Sequence, residues 1–256
     1  MKIQLRRYND SLTLAGRCLL LSRRNPDTFL TSIILPALMM LLFVSLFGNL
    51  IHVNDTSYVN YIVPAILLQC VAQGSSTTAI MINKDVTSGI VTRFSTLPIR
   101  KNSILNGHVL EAFVRSGLSS MIVLIIAAFC GFRPCLDLKN MGIVLILLVG
   151  IILVFTWMAI LTGIIAESAE GASSLSAFAI ILPYLSSGFV PTEALPKFLR
   201  IFAEYQPMTP LIDTMRSALS GNTPEADTFM IALCWCAGLT TVFYLLSLKY
   251  FERRLS

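Results

Sequence analysis

The chain has 256 residues, of which 55% are hydrophobic and only 13% charged, with a formal net charge of +5 and a mean hydropathy of +0.75. That is too little polar surface to cover a soluble globule of this size, which points to one all-α domain embedded in a bilayer. The basic excess is spread over several loops without a recognition motif, so it reads as a topology determinant and argues against a nucleic-acid partner.

Residues 1–27 are polar and basic. Within them Leu5, Leu12, Leu19 and Leu20 alternate with Arg6, Arg7, Asp10 and Arg17, the pattern of an amphipathic helix lying in contact with lipid along the inner membrane surface. An unstructured basic tail is the alternative. The Asn25-Pro26-Asp27 turn then leads into a first span, because proline suits a helix start. The apolar stretch that follows is too long for a secretory leader and lacks a small-residue cleavage site, so it is expected to remain as that span.

Six apolar stretches reach the length of about 20 residues that crosses a bilayer. They are residues 28–51, 58–82, 113–132, 141–166, 172–190 and 229–248, giving a six-span bundle over residues 28–248 and a tail over 249–256. Lys2, Arg6, Arg7, Arg17, Arg23 and Arg24 precede the first span, Lys84, Arg93, Arg100 and Lys101 follow the second, and Lys249, Arg253 and Arg254 follow the sixth. The other side carries Arg133, Lys139, Lys197, Arg200 and Arg216. By the positive-inside rule both termini are cytoplasmic.

Two connections are long enough to act outside lipid. The first, residues 83–110, surrounds Ile90, Val91, Phe94 and Leu97 with polar residues and ends a short helix at Pro98. Its apolar ridge reads either as a docking element for a partner protein or as a helix packed on the membrane surface or its own bundle. The second, residues 191–227, is punctuated by Pro191, Pro196, Pro207, Pro210 and Pro224. Between them, residues 197–205 and 211–219 have helix-compatible patterns, and two short re-entrant helices at the outer leaflet are expected.

Polar side chains cluster on the second and fifth spans. Gln69 and Gln73 are the leading candidates to meet a cargo, with Tyr184 and Ser187 as further candidates on the same path; for the serines and threonines there, helix packing is the favoured reading. Proline at Pro36, Pro64 and Pro183 can kink the spans. No ionisable residue falls near the middle of a predicted span, and Glu111 and Arg115, four apart at the start of the third, are expected to form a structural pair. His52 and His108 fall on opposite sides, so no two-histidine metal site forms and none is expected. Four of the cysteines read as small hydrophobes; Cys130 and Cys135 sit together near the outer face, where a disulfide or two free thiols are both open.

The run Leu182-Pro183-Tyr184-Leu185-Ser186-Ser187-Gly188-Phe189-Val190-Pro191, followed by Leu195-Pro196, Gln206-Pro207, Thr209-Pro210 and Arg216, resembles the last third of ABC-2-type exporter permeases. Asp85, Gly89, Phe94, Pro98 and Gly107 resemble that family's cytoplasmic loop, with Asp85 where a glutamate is usual and Gln206-Pro207 where Asn-Pro is usual. The similarity runs over nearly the whole chain and is greatest to drug-resistance, polysaccharide- and lipid-export permeases.

The resemblance implies a permease subunit in a bacterial inner membrane that pairs with a second copy or a paralogue and exports a drug-like, lipid or glycan substrate. It implies a coupling helix whose contacts with an ATP-binding subunit involve Asp85, Gly89, Phe94, Pro98 and Arg100. It also implies an outer gate containing Gly188, Pro191, Pro196, Pro207, Pro210 and Arg216. No Gly-Lys dipeptide occurs, so the phosphate-binding G-x4-GK[ST] loop is missing. ATP and magnesium are therefore expected on the partner, with no cofactor and no catalytic residue here. A scaffold or accessory subunit without transport is the alternative.

Overall fold

The computed structural model describes residues 2–48, 57–91, 101–135, 137–192 and 195–255. Among these residues the regular elements are helical: α1 (Lys2–Arg24), α2 (Pro26–Phe47), α3 (Tyr58–Thr87), α4 (Lys101–Phe129), α5 (Leu138–Ile165), α6 (Ala169–Tyr184), α7 (Lys197–Tyr205), α8 (Met208–Leu219) and α9 (Ala226–Leu255). Five of them, α2, α3, α4, α5 and α9, are long and apolar enough to cross a membrane. The chain is thus a multi-pass membrane protein of all-α class.

α3 is the central post. Its most apolar window is 78% buried, against 11% for α9, and α2, α4, α5 and α6 pack around it. Such all-round burial requires a helix that is apolar on every face, which the Ile62–Leu68 stretch supplies. Close approach to α5 is possible because Gly163 has no side chain: a Cβ there would lie 2.6 Å from the Ala79 carbonyl oxygen. Asn83 Nδ2 donates to the Gly163 and Ala166 carbonyls at 3.1 and 2.7 Å. α9 packs on the outer side of α5, with Tyr244 edge-on to Trp157. The outward faces of α2, α4 and α9 expose Ile34, Leu38, Leu42, Leu118, Met121, Ile125, Ile231 and Leu245, as a lipid-facing surface requires.

The two ends of the bundle have distinct cores. Leu14 of α1, Ile82, Val91, Leu105, Ile164 and Phe251 of α9 share one apolar cluster, so the N- and C-terminal helices meet at the same end. At the opposite end the start of α3 meets Phe189 and the buried face of α8.

Several boundaries differ from those read in the sequence. α4 begins at Lys101, a dozen residues before the predicted third span, because polar residues such as His108, Glu111 and Arg115 face other helices and hydropathy alone counts them as loop. α3 extends past its predicted end to Thr87. The predicted fifth span, residues 172–190, corresponds to α6, a 16-residue helix that stops at Tyr184, where Pro183 and the Ser-Ser-Gly run favour a turn. The predicted outer helices appear as α7 and α8; α8 starts at Met208 because proline is tolerated in a first turn, where the backbone N–H has no helical partner.

Candidate functional site

Three polar constellations lie along the bundle. The first joins α1, α3 and α4 at the end where the termini meet. Arg17 donates through Nη1 and Nη2 to Asp85 Oδ2 and Oδ1 at 2.7 and 2.8 Å. His108 Nε2 lies 3.1 Å from Asp85 Oδ2, and the other ring nitrogen is 3.8 Å from Cys18 Sγ. The Asp85 hydrogen bond raises the Arg17 guanidinium above its already high ordinary pKa. α1 can lie this close because Gly107 of α4 has no side chain: a Cβ would meet Leu14 Cβ at 3.0 Å and the Ala15 nitrogen at 3.2 Å.

Among the described side chains of α1, Leu14, Ala15 and Cys18 pack inward, and Leu12 and Leu20 are exposed. The face turned to the bundle thus lies between the leucines of the stripe, and Leu12 and Leu20 stay exposed as contact with lipid requires. Gly89 follows α3 in a turn with φ +72°, a left-handed conformation that glycine adopts without strain. Phe94, Pro98 and Arg100 lie outside the described residues.

The second constellation is inside the bundle. Gln69 hydrogen-bonds the Tyr184 hydroxyl, bringing together two residues predicted to line a path, and Tyr184 stacks on Phe189 with ring centroids 4.6 Å apart. Gln73 and Ser76 follow Gln69 at helical spacing and are half-buried. Gln69 Oε1, Gln73 Oε1 and Ser76 Oγ have no hydrogen-bond partner among the described residues. On another face of α3, Arg115 donates from Nη2 to Thr78 Oγ1 at 2.6 Å and from Nε to Glu111 Oε1 at 2.9 Å. The expected i,i+4 pair is present, but in the interior of a membrane-length helix and fully buried, not at its boundary.

The third constellation closes the other end. Arg216 of α8 donates to the Ser187 carbonyl at 2.8 Å, to Asp213 Oδ1 at 2.7 Å and to the Tyr61 carbonyl at 3.2 Å, and its guanidinium lies 3.7 Å from the Tyr61 ring centroid. Ser187 Oγ donates to the same Asp213 oxygen. Gly188 sits where a Cβ would be 2.5 Å from Ala65 Cβ and 3.0 Å from Ile212 Cδ1. Gly188 and Arg216, expected in one gate region, thus lie together, and Ser187, expected on the cargo path, lies with them. Pro207 and Pro210 open α8, Pro191 is half-buried beyond the turn, and Pro196 is exposed ahead of α7.

Sequence reasoning missed the partners Arg17, His108, Tyr61 and Asp213. In the sequence Arg17 stands out only as a charge of the amphipathic pattern and of the basic excess, and His108 only as a metal-ligand candidate, although each lies beside residues that pack inward. The six cysteines are free, and no group of three metal-ligating side chains occurs among the described residues.

Residues 10–220 match the sequence profile described as ABC-2 type transporter. Over 95% of the chain and 86% of the relative, it is 25% identical to a daunorubicin resistance ABC transporter permease protein, DrrB1, of Streptomyces coeruleorubidus. It is 28% identical to a probable doxorubicin resistance ABC transporter permease protein, DrrC, of Mycobacterium tuberculosis, over 91% of the chain and 84% of the relative. A putative transport permease, ycf38, of Porphyra purpurea is 25% identical over 83% of the chain and 74% of its own length.

Proposed function

Because the chain belongs to the ABC-2 type transporter family, we propose that it is the membrane permease of an ATP-driven exporter, pairing with a second copy or a paralogue and moving its substrate outward. Hydrolysis takes place on a separate ATP-binding subunit that holds ATP and magnesium. The protein is placed in a bacterial inner membrane with both termini cytoplasmic and with six crossings, α6 and the buried turn after it forming the fifth. α1 lies along the inner surface, and α7 and α8 form the outer re-entrant region.

The observation that carries this reading is the clasp of Arg17, Asp85 and His108. Asp85 is 5% exposed and both its oxygens are engaged within the chain, so it acts by tying α1 and α3 to α4. Phe94, Pro98 and Arg100, later in the chain than Gly89, are the proposed contacts with the ATPase subunit. Closure of that subunit moves the clasp, and rigid helices carry the motion to the far end. The cargo path runs past Gln69, Gln73, Tyr184 and Ser187. The gate is the turn at Gly188 and Pro191 held by Arg216, with the Pro196, Pro207 and Pro210 connections around it. The names of the relatives point to drug-like amphiphiles ahead of lipids or glycans.

The test is affinity purification from the native membrane in mild detergent, with mass spectrometry of what accompanies the chain and ATP-driven doxorubicin uptake into inverted vesicles. A stoichiometric ATPase subunit with uptake is expected. Repeated isolation of the intact chain without one overturns the reading.

A further inference from the structure

α3 and α4 run antiparallel and are joined at two levels by side chains in matching register. Asp85 and Thr78 are seven residues apart on α3, and His108 and Arg115 are seven apart on α4. Seven residues are two helical turns, about 10 Å, and return to the same face. The Asp85–His108 contact of 3.1 Å and the Arg115–Thr78 hydrogen bond of 2.6 Å are thus two rungs of one polar ladder. The lower rung is held by Arg17 of α1.

The upper rung is unusual in its chemistry. Glu111 is 0% and Arg115 3% exposed, and ionised groups inside a bilayer-length helix carry a large desolvation cost that pairing only partly offsets. Each also keeps an unused valence: Arg115 Nη1 and Glu111 Oε2 have no hydrogen-bond partner among the described residues. Apolar side chains of like volume would hold two helices together without that cost. Arg115 is accommodated by Gly74, whose added Cβ would lie 2.8 Å from Nη1. At about 100° per residue, Gln69, Gln73 and Ser76 fall on the opposite face of α3 from Thr78. Any displacement of α3 imposed at Thr78 is therefore delivered to the face that carries those three residues.

We propose that Glu111 and Arg115 are positioning residues for transport, the upper rung of a ladder through which movement of the Arg17–Asp85–His108 clasp re-aims the Gln69, Gln73 and Ser76 face of α3. The inference rests on the export reading above. The unused valences let the guanidinium and carboxylate exchange partners as α4 moves, which a packed apolar contact cannot do.

The test uses the full complex with its ATPase subunit in lipid nanodiscs. Cys135, exposed at the far end, is modified with a membrane-impermeant maleimide with and without ATP, and its labelling is quantified by peptide mass spectrometry. ATP is expected to change the labelling rate in the native protein and in Thr78→Ser, which keeps the hydroxyl. In Thr78→Val and in the double variant E111L/R115L the ATP effect is expected to fall at least fivefold, with assembly and basal hydrolysis retained. If both variants respond to ATP as the native protein does, the ladder is only structural and the inference falls. Should the double variant fail to assemble, the Thr78→Ser and Thr78→Val pair decides alone. A native complex that hydrolyses ATP with no change at Cys135 overturns the export reading itself.

Discussion

The Arg17–Asp85 clasp carries a quantitative expectation. Arg17 presents two nitrogens to two carboxylate oxygens at 2.7 and 2.8 Å, with the arginine side chain 29% and the aspartate side chain 8% exposed. A fully exposed pair contributes about 0.2–1 kcal/mol, while hydrogen bonds to buried charged groups contribute about 1.5–3 kcal/mol each. This half-buried, two-pronged geometry falls between, so a double-mutant cycle over Arg17→Ala and Asp85→Ala should give a coupling of about 2 kcal/mol. Asp85→Ala alone should cost more, about 3 kcal/mol, because it also strands buried His108. At about 2–4 °C per kcal/mol for a chain of this size, the single Asp85 variant should melt about 6–12 °C lower. The assay is thermal unfolding of the detergent-solubilised chain, run on the native protein, both single variants and the double. Additivity of the two single effects within about 0.5 kcal/mol would refute the clasp as a direct interaction.

Two further changes probe the close contacts. Gly188→Val forces a Cβ to within 2.5 Å of Ala65 Cβ, and the overpacking should cost about 1–3 kcal/mol, read as a lowered melting temperature with Cys18 still protected. Gly107→Leu should push α1 off α4, since even a Cβ would meet the Leu14 and Ala15 backbone at 3.1–3.2 Å. Cys18, now 1% exposed, should then react with a membrane-permeant maleimide at least tenfold faster; unchanged protection would mean that the glycine is not what admits α1.

Much of the fold was legible because hydropathy is a strong determinant of membrane helices. The predicted starts of spans one, two, four and six lie within three residues of the starts of α2, α3, α5 and α9, whereas α3 and α9 run five and seven residues past their predicted ends; the 197–205 helix is bounded by its prolines. The site was only partly legible. Gln69 with Tyr184, and Ser187 with Arg216, were named separately, and their meeting depends on packing of α3 against α6 and α8 that no local pattern encodes. The same limit explains the misplacement of Glu111 and Arg115. A window average treats a charged residue as a boundary, whereas this pair is retained inside a helix by Thr78 and by the space at Gly74. Arg17 stands in the sequence as one polar position of an amphipathic pattern, and only the packing of Leu14 and Cys18 on α4 shows which way it faces.

The shortness of α6 is itself a property of the far end. Sixteen residues span only about 24 Å at 1.5 Å per residue, less than the hydrocarbon core of about 30 Å. The backbone that follows is irregular yet largely buried, which membranes tolerate only where protein groups satisfy it. Here they do: Tyr61 and Arg216 donate to the Ser187 carbonyl at 2.7 and 2.8 Å, Tyr58 to the Phe189 carbonyl at 2.9 Å, and Gln206 to that of Leu185. α3 and α8 thus hold in place a segment that a continuous helix would have stiffened by itself, and a turn held by side chains can be released where a helix cannot. Replacing Tyr58 and Tyr61 by phenylalanine keeps the ring packing and removes two donors, leaving Phe189 without its tyrosine and Ser187 with Arg216. An unsatisfied buried carbonyl costs about 1–3 kcal/mol, so the double variant should lose stability chiefly through Tyr58, and the Tyr58→Phe single should account for most of it. Equal losses from the two singles would mean that Arg216 does not compensate at Ser187. No loss from either would mean that water reaches this turn and that it lies outside the hydrocarbon core.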